Sequence, residues 1–358
     1  MAQPLVSVLI DTFNHERYIE QAIVSVLEQD FPAADVEILV VDDGSTDTTA
    51  SIVQQFAPRV RYLRKENGGQ ASAFNFGVPQ ARGEIVAFLD GDDWWAKDKL
   101  SKVVEVLSSR PEIGIVGHGI YETDSATGKM SAVLPAEPTD IDLHSKSGAA
   151  LFRHMMCFFG TSRVTIRREI ALRALPIPQE LVIEADEFLS IMSAAYSEAC
   201  LIREPLTYYR LHSGNLFQVR QSDDVKTRRI YDVIVALAAQ LRLRLPDASV
   251  LPDAIQAIVE ELEVGALRLR LMLDGGWPWE TFRFQRAEYR LAYKDGSSAY
   301  KLFKLGVLGA TLFLPPRMFF KLRTWYSRSS LRKMRRVLGE PTPSAAIAAL
   351  PQPDRTDR

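Results

Sequence analysis

Along the first ninety-five residues, apolar and polar positions change rhythm in regular blocks. VSVLI (6–10) is a short apolar run, and ERYIEQAIVSVLEQ (16–29) repeats Tyr18, Ile19, Ala22, Ile23, Val26 and Leu27 at helical spacing, with Asn14 placed to cap its start. VEILVVDD (36–43) is continuously apolar before its acids, as a strand buried on both faces should be. Ser45, Thr46 or Asp47 can open a second helix in TTASIVQQFA, with Ile52, Val53 and Phe56 facing one way. VRYLRKE then reads as a strand, QASAFNFGVPQA as a helix and EIVAFLD as a fourth strand. The βαβαβαβ order predicts an α/β fold with a mostly parallel sheet and helices on both faces.

Beyond residue 100 the pattern is less regular. KLSKVVEVLSS reads as a helix, IGIVGHGIY as an apolar strand, FRHMMCFFGTSRVTIRREI as a buried element leading into a strand, ADEFLSIMSAAYSEA as a helix and LTYYRLH as a strand. After about Gln221 long Leu/Ala/Arg-rich segments predict helices, and PTPSAAIAALPQPDRTDR reads as disordered. These shifts predict a first domain over 1–220, in two halves, 1–100 and 101–220. A helical region over 221–338 and a tail over 339–358 follow.

Composition narrows the class. With 358 residues, 47% of them hydrophobic, the chain is long enough for one large domain with an appendage or for two domains. Cys157 and Cys200 lack zinc-site spacing and read as small buried hydrophobes. MAQPLVSVLI carries no basic region ahead of an apolar core, which predicts a cytosolic catalytic face. The net charge of −2 conceals a gradient: residues 301–358 hold 12 Lys/Arg and 3 Asp/Glu, a local +9 that leaves −11 for the rest.

The acids give the first chemical clue. FLDGDDWW (88–95) ends a strand in Asp90, Asp92 and Asp93, which repel one another unless water or a cation screens them. DTFNHE, DDGSTD and NGGQ end the other three strands, so four polar loops are predicted to converge at the carboxyl edge of the sheet, where such folds bind ligands. Mg²⁺ or Mn²⁺ takes oxygen ligands and keeps positions open for phosphate, so an acidic loop beside helix N-termini suits a metal-bound diphosphate.

In order and spacing, VSVLIDTFNHERYIEQAIVSVLEQ, EILVVDDGSTDTT, NGGQASAFNFG and GEIVAFLDGDDWW resemble the family 2 glycosyltransferases, inverting enzymes with the GT-A fold. The resemblance implies that Asp11, Thr12, Phe13, Asn14 and Asp43 hold the nucleotide base, usually uracil. It implies that Gly68 and Gly69 admit the ligand to the backbone, and that Asp90 and Asp92 form the DxD motif, the first near the ribose and the second on the metal. Phe13 can stack on a base or lie as a core aromatic, and Asp93 can be a metal neighbour or a helix N-cap. Two positions depart from the family: Asp11 stands where proline is usual, and Phe74 where arginine is common.

Inversion needs a carboxylate to take the acceptor's proton. IEADEFLSIM resembles the family's ED motif, which implies Asp186 as base, with Glu184 and Glu187 as rivals. LTYYRLHSGN resembles the YRxH stretch, so His212 is a candidate metal or phosphate ligand and Arg210 the nearest cation. His15, His118, His144 and His154 match no ligand spacing. The implied activity is transfer from a nucleotide diphosphate sugar, UDP by family habit, to a saccharide or lipid-linked saccharide in cell-surface polysaccharide synthesis. A divalent metal is the expected cofactor.

YKLFKLGVLGATLFLPPRMFFKLRTWYSR contains an apolar run of about eleven residues, shorter than the roughly 20 a membrane span requires. Its basic residues and Phe319, Phe320 and Trp325 suit either an anionic membrane surface or a packed helical hairpin with a solvated basic face. No nucleic-acid-binding module accompanies the basic tail. DTFNHE lacks the glycine-rich loop of a sugar-nucleotide pyrophosphorylase, and the intact acids weigh against a non-catalytic nucleotide-sugar-binding or scaffold protein.

Overall fold

A computed structural model describes residues 4–212, 224–292 and 298–328. The chain divides into two compact units, Met1–Gln218 with Ala239–Ile255, and Val219–Ala238 with Gln256–Arg358. Residues 239–255 therefore belong with the first unit, although the composition shift near residue 221 suggested a single cut.

In the first unit, β1 (Val6–Thr12), β2 (Val36–Asp42), β3 (Arg61–Arg64) and β4 (Ile85–Asp90) pair in the order β3-β2-β1-β4, all parallel. Val8, Ile10, Ile38 and Val40 are buried against Ile19, Ile23 and Val26 of α1 (Ile19–Leu27) in one apolar cluster. The opposite face takes α3 (Gln70–Gly77), which lies so close that a Cβ at Gly77 would sit 2.7 Å from Val41 Cγ2 and 2.8 Å from Leu9 Cδ1. Phe74, in the position where the family commonly has arginine, is fully buried with its ring 5.2 Å from that of Phe88. Thus the strand that looked buried on both faces is so.

The second half of the sheet is mixed. β9 (Thr165–Arg167) runs antiparallel between β4 and β6 (Ile113–Asp124), and β6 pairs in parallel with β10 (Glu198–Leu211). β7 (Met130–Val133) and β8 (Thr139–Ile141) add antiparallel edges. Register shifts at Ile202, Pro205 and Thr207 interrupt β10, after which Thr207 and Tyr208 pair with the two-residue β5 (Trp94–Trp95). That bend returns Arg210 and His212 to the acidic turn. α2 (Thr49–Gln54), α4 (Lys99–Ser109), α5 (Lys146–His154), α6 (Arg168–Ala174) and α7 (Ala185–Tyr196) complete the layers. Cys200 is buried as expected, whereas Cys157 is exposed.

C-terminal residues form α8 (Asp224–Arg244), α9 (Pro252–Leu273), α10 (Pro278–Ala292), α11 (Ser298–Ala310) and α12 (Pro316–Arg328). In the second unit, Leu271, Phe284, Phe319 and Phe320 form a small core joined by Val307 and Leu314. Phe319 and Phe320 are therefore buried, not outward as an interfacial reading of the sequence required. Arg323 donates two hydrogen bonds to Glu288, at 2.6 and 2.9 Å. No described helix is long and apolar enough to cross a membrane. The Trp325 side chain and the tail over 339–358 lie outside the described residues.

Candidate active site

The register of β1 on β4 sets Asp11 level with Asp90, so two acids meet where the parallel strands end. Oxygens of Asp90, Asp92 and Asp93 lie within 4.8 Å of one another. Burial and the neighbouring carboxylates of Asp186, Asp92 and Asp43 push Asp11 well above the usual carboxylate range, and its buried Oδ1 finds no hydrogen-bond partner among the described residues. Asp90 is pushed the same way by burial and then by Asp11, Asp92, Asp93 and Asp186. Asp186, distant in sequence, thus belongs to the same electrostatic cluster.

Asp92 differs from its neighbours. Burial works to raise it, but His212 Nε2, 2.9 Å from Asp92 Oδ2, and the His15 imidazole, 4.0 Å from the same oxygen, hold it below its ordinary value. His15, whose spacing matched no ligand pattern, therefore faces the acidic turn. Arg210 donates to the Asp92 carbonyl at 2.7 Å and to Gln21 at 2.6 Å, with its guanidinium over the rings of Tyr18 and Trp94.

Asp93 does not cap the next helix, where Asp98 takes the N-cap position. It is buried instead, accepting from Ser162 Oγ at 2.6 Å and from the Arg210 amide at 2.8 Å; burial, then the Asp92 charge, push it up to about 7. Ser162 is the hub beneath the turn. The Asp90 amide donates to its hydroxyl at 3.0 Å, and its carbonyl accepts from Lys99 Nζ at 2.8 Å, Trp95 Nε1 at 3.1 Å and Thr207 Oγ1 at 2.5 Å. Lys99 has 0% exposure, and burial drives its ammonium well below the usual lysine range against the pull of Asp93. Nothing in GTSR or AKDKL marks Ser162 or Lys99 in the sequence, since their partners are assigned by the fold.

At the head of α7, Asp186 Oδ2 accepts from the Thr161 amide at 2.9 Å and hydroxyl at 3.0 Å, and Oδ1 from the Glu187 amide at 2.9 Å. Gln70 links the two helix starts, donating to Thr161 Oγ1 at 2.9 Å and accepting from the Ala185 amide at 3.0 Å. The rivals face other tasks. Glu187 is buried in an ion pair with Arg153, and Glu184, at φ +60°, is pushed up by burial and by Glu187 and Asp186.

The two loops that the resemblance assigns to the nucleotide bond to one another. Asn14 does not cap α1: it sits at φ +57° and accepts from the Thr46 amide at 2.8 Å, while Tyr18 holds the N-cap position. Thr12 is buried with its Oγ1 3.3 Å from His15 Nδ1, and Phe13, 42% exposed, is no core aromatic. Asp43 accepts from Lys65 Nζ at 2.6 Å, from the Gly68 amide at 3.0 and 3.1 Å and from the Gly69 amide at 2.7 Å. Both glycine amides are therefore spent on Asp43. Gly69, at φ +81°, has Val182 where a Cβ would project, at 2.8 Å, so protein backbone makes the close approach here. Beside this turn lies an open pocket of about 600 Å³ lined by Gly44, Arg64, Lys65, Glu66 and Asn67.

Residues 7–169 match the model of the family described as Glycosyl transferase family 2. Over these residues the chain is similar to that family. Among its relatives, the uncharacterized glycosyltransferase alr2836 of Nostoc sp. (strain PCC 7120) is 35% identical over 217 residues, 59% of this chain and 66% of that one. TuaG of Bacillus subtilis (strain 168), provisionally named a teichuronic acid biosynthesis glycosyltransferase, is 45% identical over 113 residues, 30% of this chain and 44% of its own. The chain thus spans just under two thirds of alr2836 and less than half of TuaG. In three dimensions the chain is similar to the mannosyltransferase PcManGT of Pyrobaculum calidifontis, solved with GDP-Man and Mn²⁺, at 21% identity and a TM-score of 0.52 over 97% of this chain and 87% of that one. That likeness shows the shared GT-A architecture.

Proposed function

We propose that the chain, as a family 2 glycosyltransferase, moves a sugar, with inversion, from a nucleotide diphosphate sugar to an acceptor hydroxyl, and that Asp186 is its general base. One observation carries the reading: adjacent residues tie Asp186 to the acidic turn, Thr161 donating to Asp186 from its amide at 2.9 Å and its hydroxyl at 3.0 Å, and Ser162 donating to Asp93 at 2.6 Å while accepting from the Asp90 amide at 3.0 Å. A base beside a diphosphate-binding acid cluster is the geometry that direct displacement at an anomeric carbon requires.

The donor set suits a hard divalent cation such as Mn²⁺ or Mg²⁺. Crowded carboxylates, and a buried Asp11 oxygen without a partner among the described residues, are the chemistry that such a cation satisfies. Asp90, Asp92 and His212 would hold it, and when bound it supplies Lewis-acid charge for the departing diphosphate. The chain's own groups do the rest. Thr161 and the Glu187 amide orient Asp186 so that a carboxylate oxygen can take the acceptor's proton as the new bond forms. Phe13 offers an exposed ring for the base to stack on. Asp43, its lone pairs already taken, acts by shaping the Gly68–Gly69 turn, with Thr12 and Asn14 fixing the adjoining loop.

The family resemblance favours UDP, whereas PcManGT was solved with GDP-Man, so both nucleotides belong in the test. The provisional name of TuaG, a teichuronic acid biosynthesis glycosyltransferase, supports a place in polysaccharide synthesis, and the acceptor proposed with it is a saccharide or lipid-linked saccharide. A donor panel measuring nucleotide diphosphate release, with and without Mn²⁺ and added membranes, tests the reading. Metal-dependent release from one donor supports it; donor binding without turnover across the panel, in single-turnover assays with membranes present, would make the chain a binding protein instead.

A further inference from the structure

We propose that the outward face of α11, the turn after it and α12 docks on an anionic lipid bilayer. The inward face is already occupied: Val307 of α11, Leu314 of the turn, and Phe319 and Phe320 of α12 pack with Leu271 and Phe284. On the other side Leu302 is 72% exposed, Leu305 54%, Phe313 84% and Leu322 44%. Leu302 and Leu305 are three positions apart on one helical face, Met318 and Leu322 four apart on the other helix, and Phe313 projects from the turn between. Single exposed apolar residues are ordinary; a run of them through two helices and their turn is not.

Charge identifies the occupant. Residues 298–328 contain six Lys/Arg and no Asp/Glu, and Arg317 and Lys321 are exposed one position before Met318 and Leu322. A second copy would bring like charges together in a symmetric contact. A nucleic acid would meet the cations but leave Phe313 and Leu302 in water. An anionic bilayer accepts both, with apolar side chains entering the headgroup boundary and cations meeting lipid phosphates. Each helix has 13 residues, about 20 Å at 1.5 Å per residue, against a hydrocarbon core of about 30 Å, so the pair lies on the surface and does not span it. The inference does not depend on sugar transfer.

The full chain, without donor or metal, should be floated with phosphatidylcholine vesicles and with vesicles containing roughly a third phosphatidylglycerol. It is expected to rise with the anionic vesicles at low salt, to bind plain phosphatidylcholine at least about tenfold more weakly, and to lose affinity as salt shortens the Debye length. Replacing exposed side chains leaves the core intact, so Leu305→Ser with Phe313→Ser should unfold at the wild-type temperature yet bind about tenfold or more weakly. Arg317→Glu with Lys321→Glu should weaken binding about as much. Absence of flotation at low salt, or unchanged flotation of both double variants, overturns the proposal. So does sedimentation showing that these variants only dissolve a self-associated form that never bound lipid.

Discussion

The two ends of the four parallel strands carry very different loads of buried acid. At the amino end, Glu37 is a lone buried carboxylate surrounded by donors: Ser7 Oγ at 2.7 Å, the Arg82 amide at 2.9 Å and Arg82 Nε at 2.6 Å, with Arg61 at 3.5 Å. At the carboxyl end, Asp11, Asp90, Asp92 and Asp93 crowd together and raise one another's affinity for protons, with only Asp92 held low. The same strands build both, so the contrast is not one of local propensity. A carboxylate matched by donors holds the fold; unmatched ones are tolerated only where chemistry uses them. Substitutions at the two ends should therefore separate activity from stability.

The largest effect is expected from Asp186→Asn. Amide and carboxylate have the same shape, so Thr161 keeps a partner, but the proposed base is gone: transfer should fall about 10²- to 10⁴-fold while donor binding stays within about twofold. Normal transfer by this variant would move the base role elsewhere. Asp92→Ala acts on the other side of the same site, removing the carboxylate that His212 contacts. Calorimetry with Mn²⁺ and the donor should show metal-dependent affinity reduced about a hundredfold, with folding unharmed. Loss of both affinity and fold would erase the contrast between the ends.

The acid-rich end was also the more legible in sequence, for a physical reason. DGDD and DDGS are contiguous, and parallel strands buried on both faces announce themselves as apolar runs, so β1, β2 and β4 and their polar ends could be read directly. Ser162, Lys99, Thr161 and Gln70 could not. Each gains its role from a partner 25 to 115 positions away, and a serine or lysine carries the same sequence signal on a surface as in a hub. Phe319 and Phe320 were left open for a related reason: amphipathic spacing shows that a helix has an apolar face but not whether protein or lipid covers it. Asn14 looked like an N-cap because it precedes an apolar-periodic run, but its left-handed backbone turns the side chain toward Thr46.

At the amino end, Glu37→Gln should cost about 2 kcal/mol in urea unfolding at neutral pH, since several donors lose a charged acceptor, with transfer per folded molecule unchanged. The effect has a pH signature. Burial works to raise Glu37, but Ser7 and Arg82 more than offset it and hold the folded carboxyl below its ordinary value of 4.5. A depressed folded pKa contributes stability above the unfolded value and loses it as pH falls through the folded one. The gap between wild type and variant should therefore be widest at neutral pH and narrow below about pH 4.5. A gap constant with pH would mean that packing, not charge, holds this end together.

The smallest effect should have the opposite sign. Asp11→Asn removes one of the crowded charges at the carboxyl end while keeping the side chain's volume, and the new amide can donate toward neighbouring carboxylates. Without added metal the variant should be more stable than wild type by about 1 kcal/mol, measured by urea unfolding at neutral pH, because like-charge repulsion ends and a buried acceptor lacking a donor becomes a group that can act as one. The two substitutions replace a strand acid by its amide, at opposite ends of adjacent strands. If Asp11→Asn instead destabilised the chain as Glu37→Gln should, Asp11 would belong with the acids that hold the fold, and the distinction between the two ends would fail at the residue where it is most exposed to test.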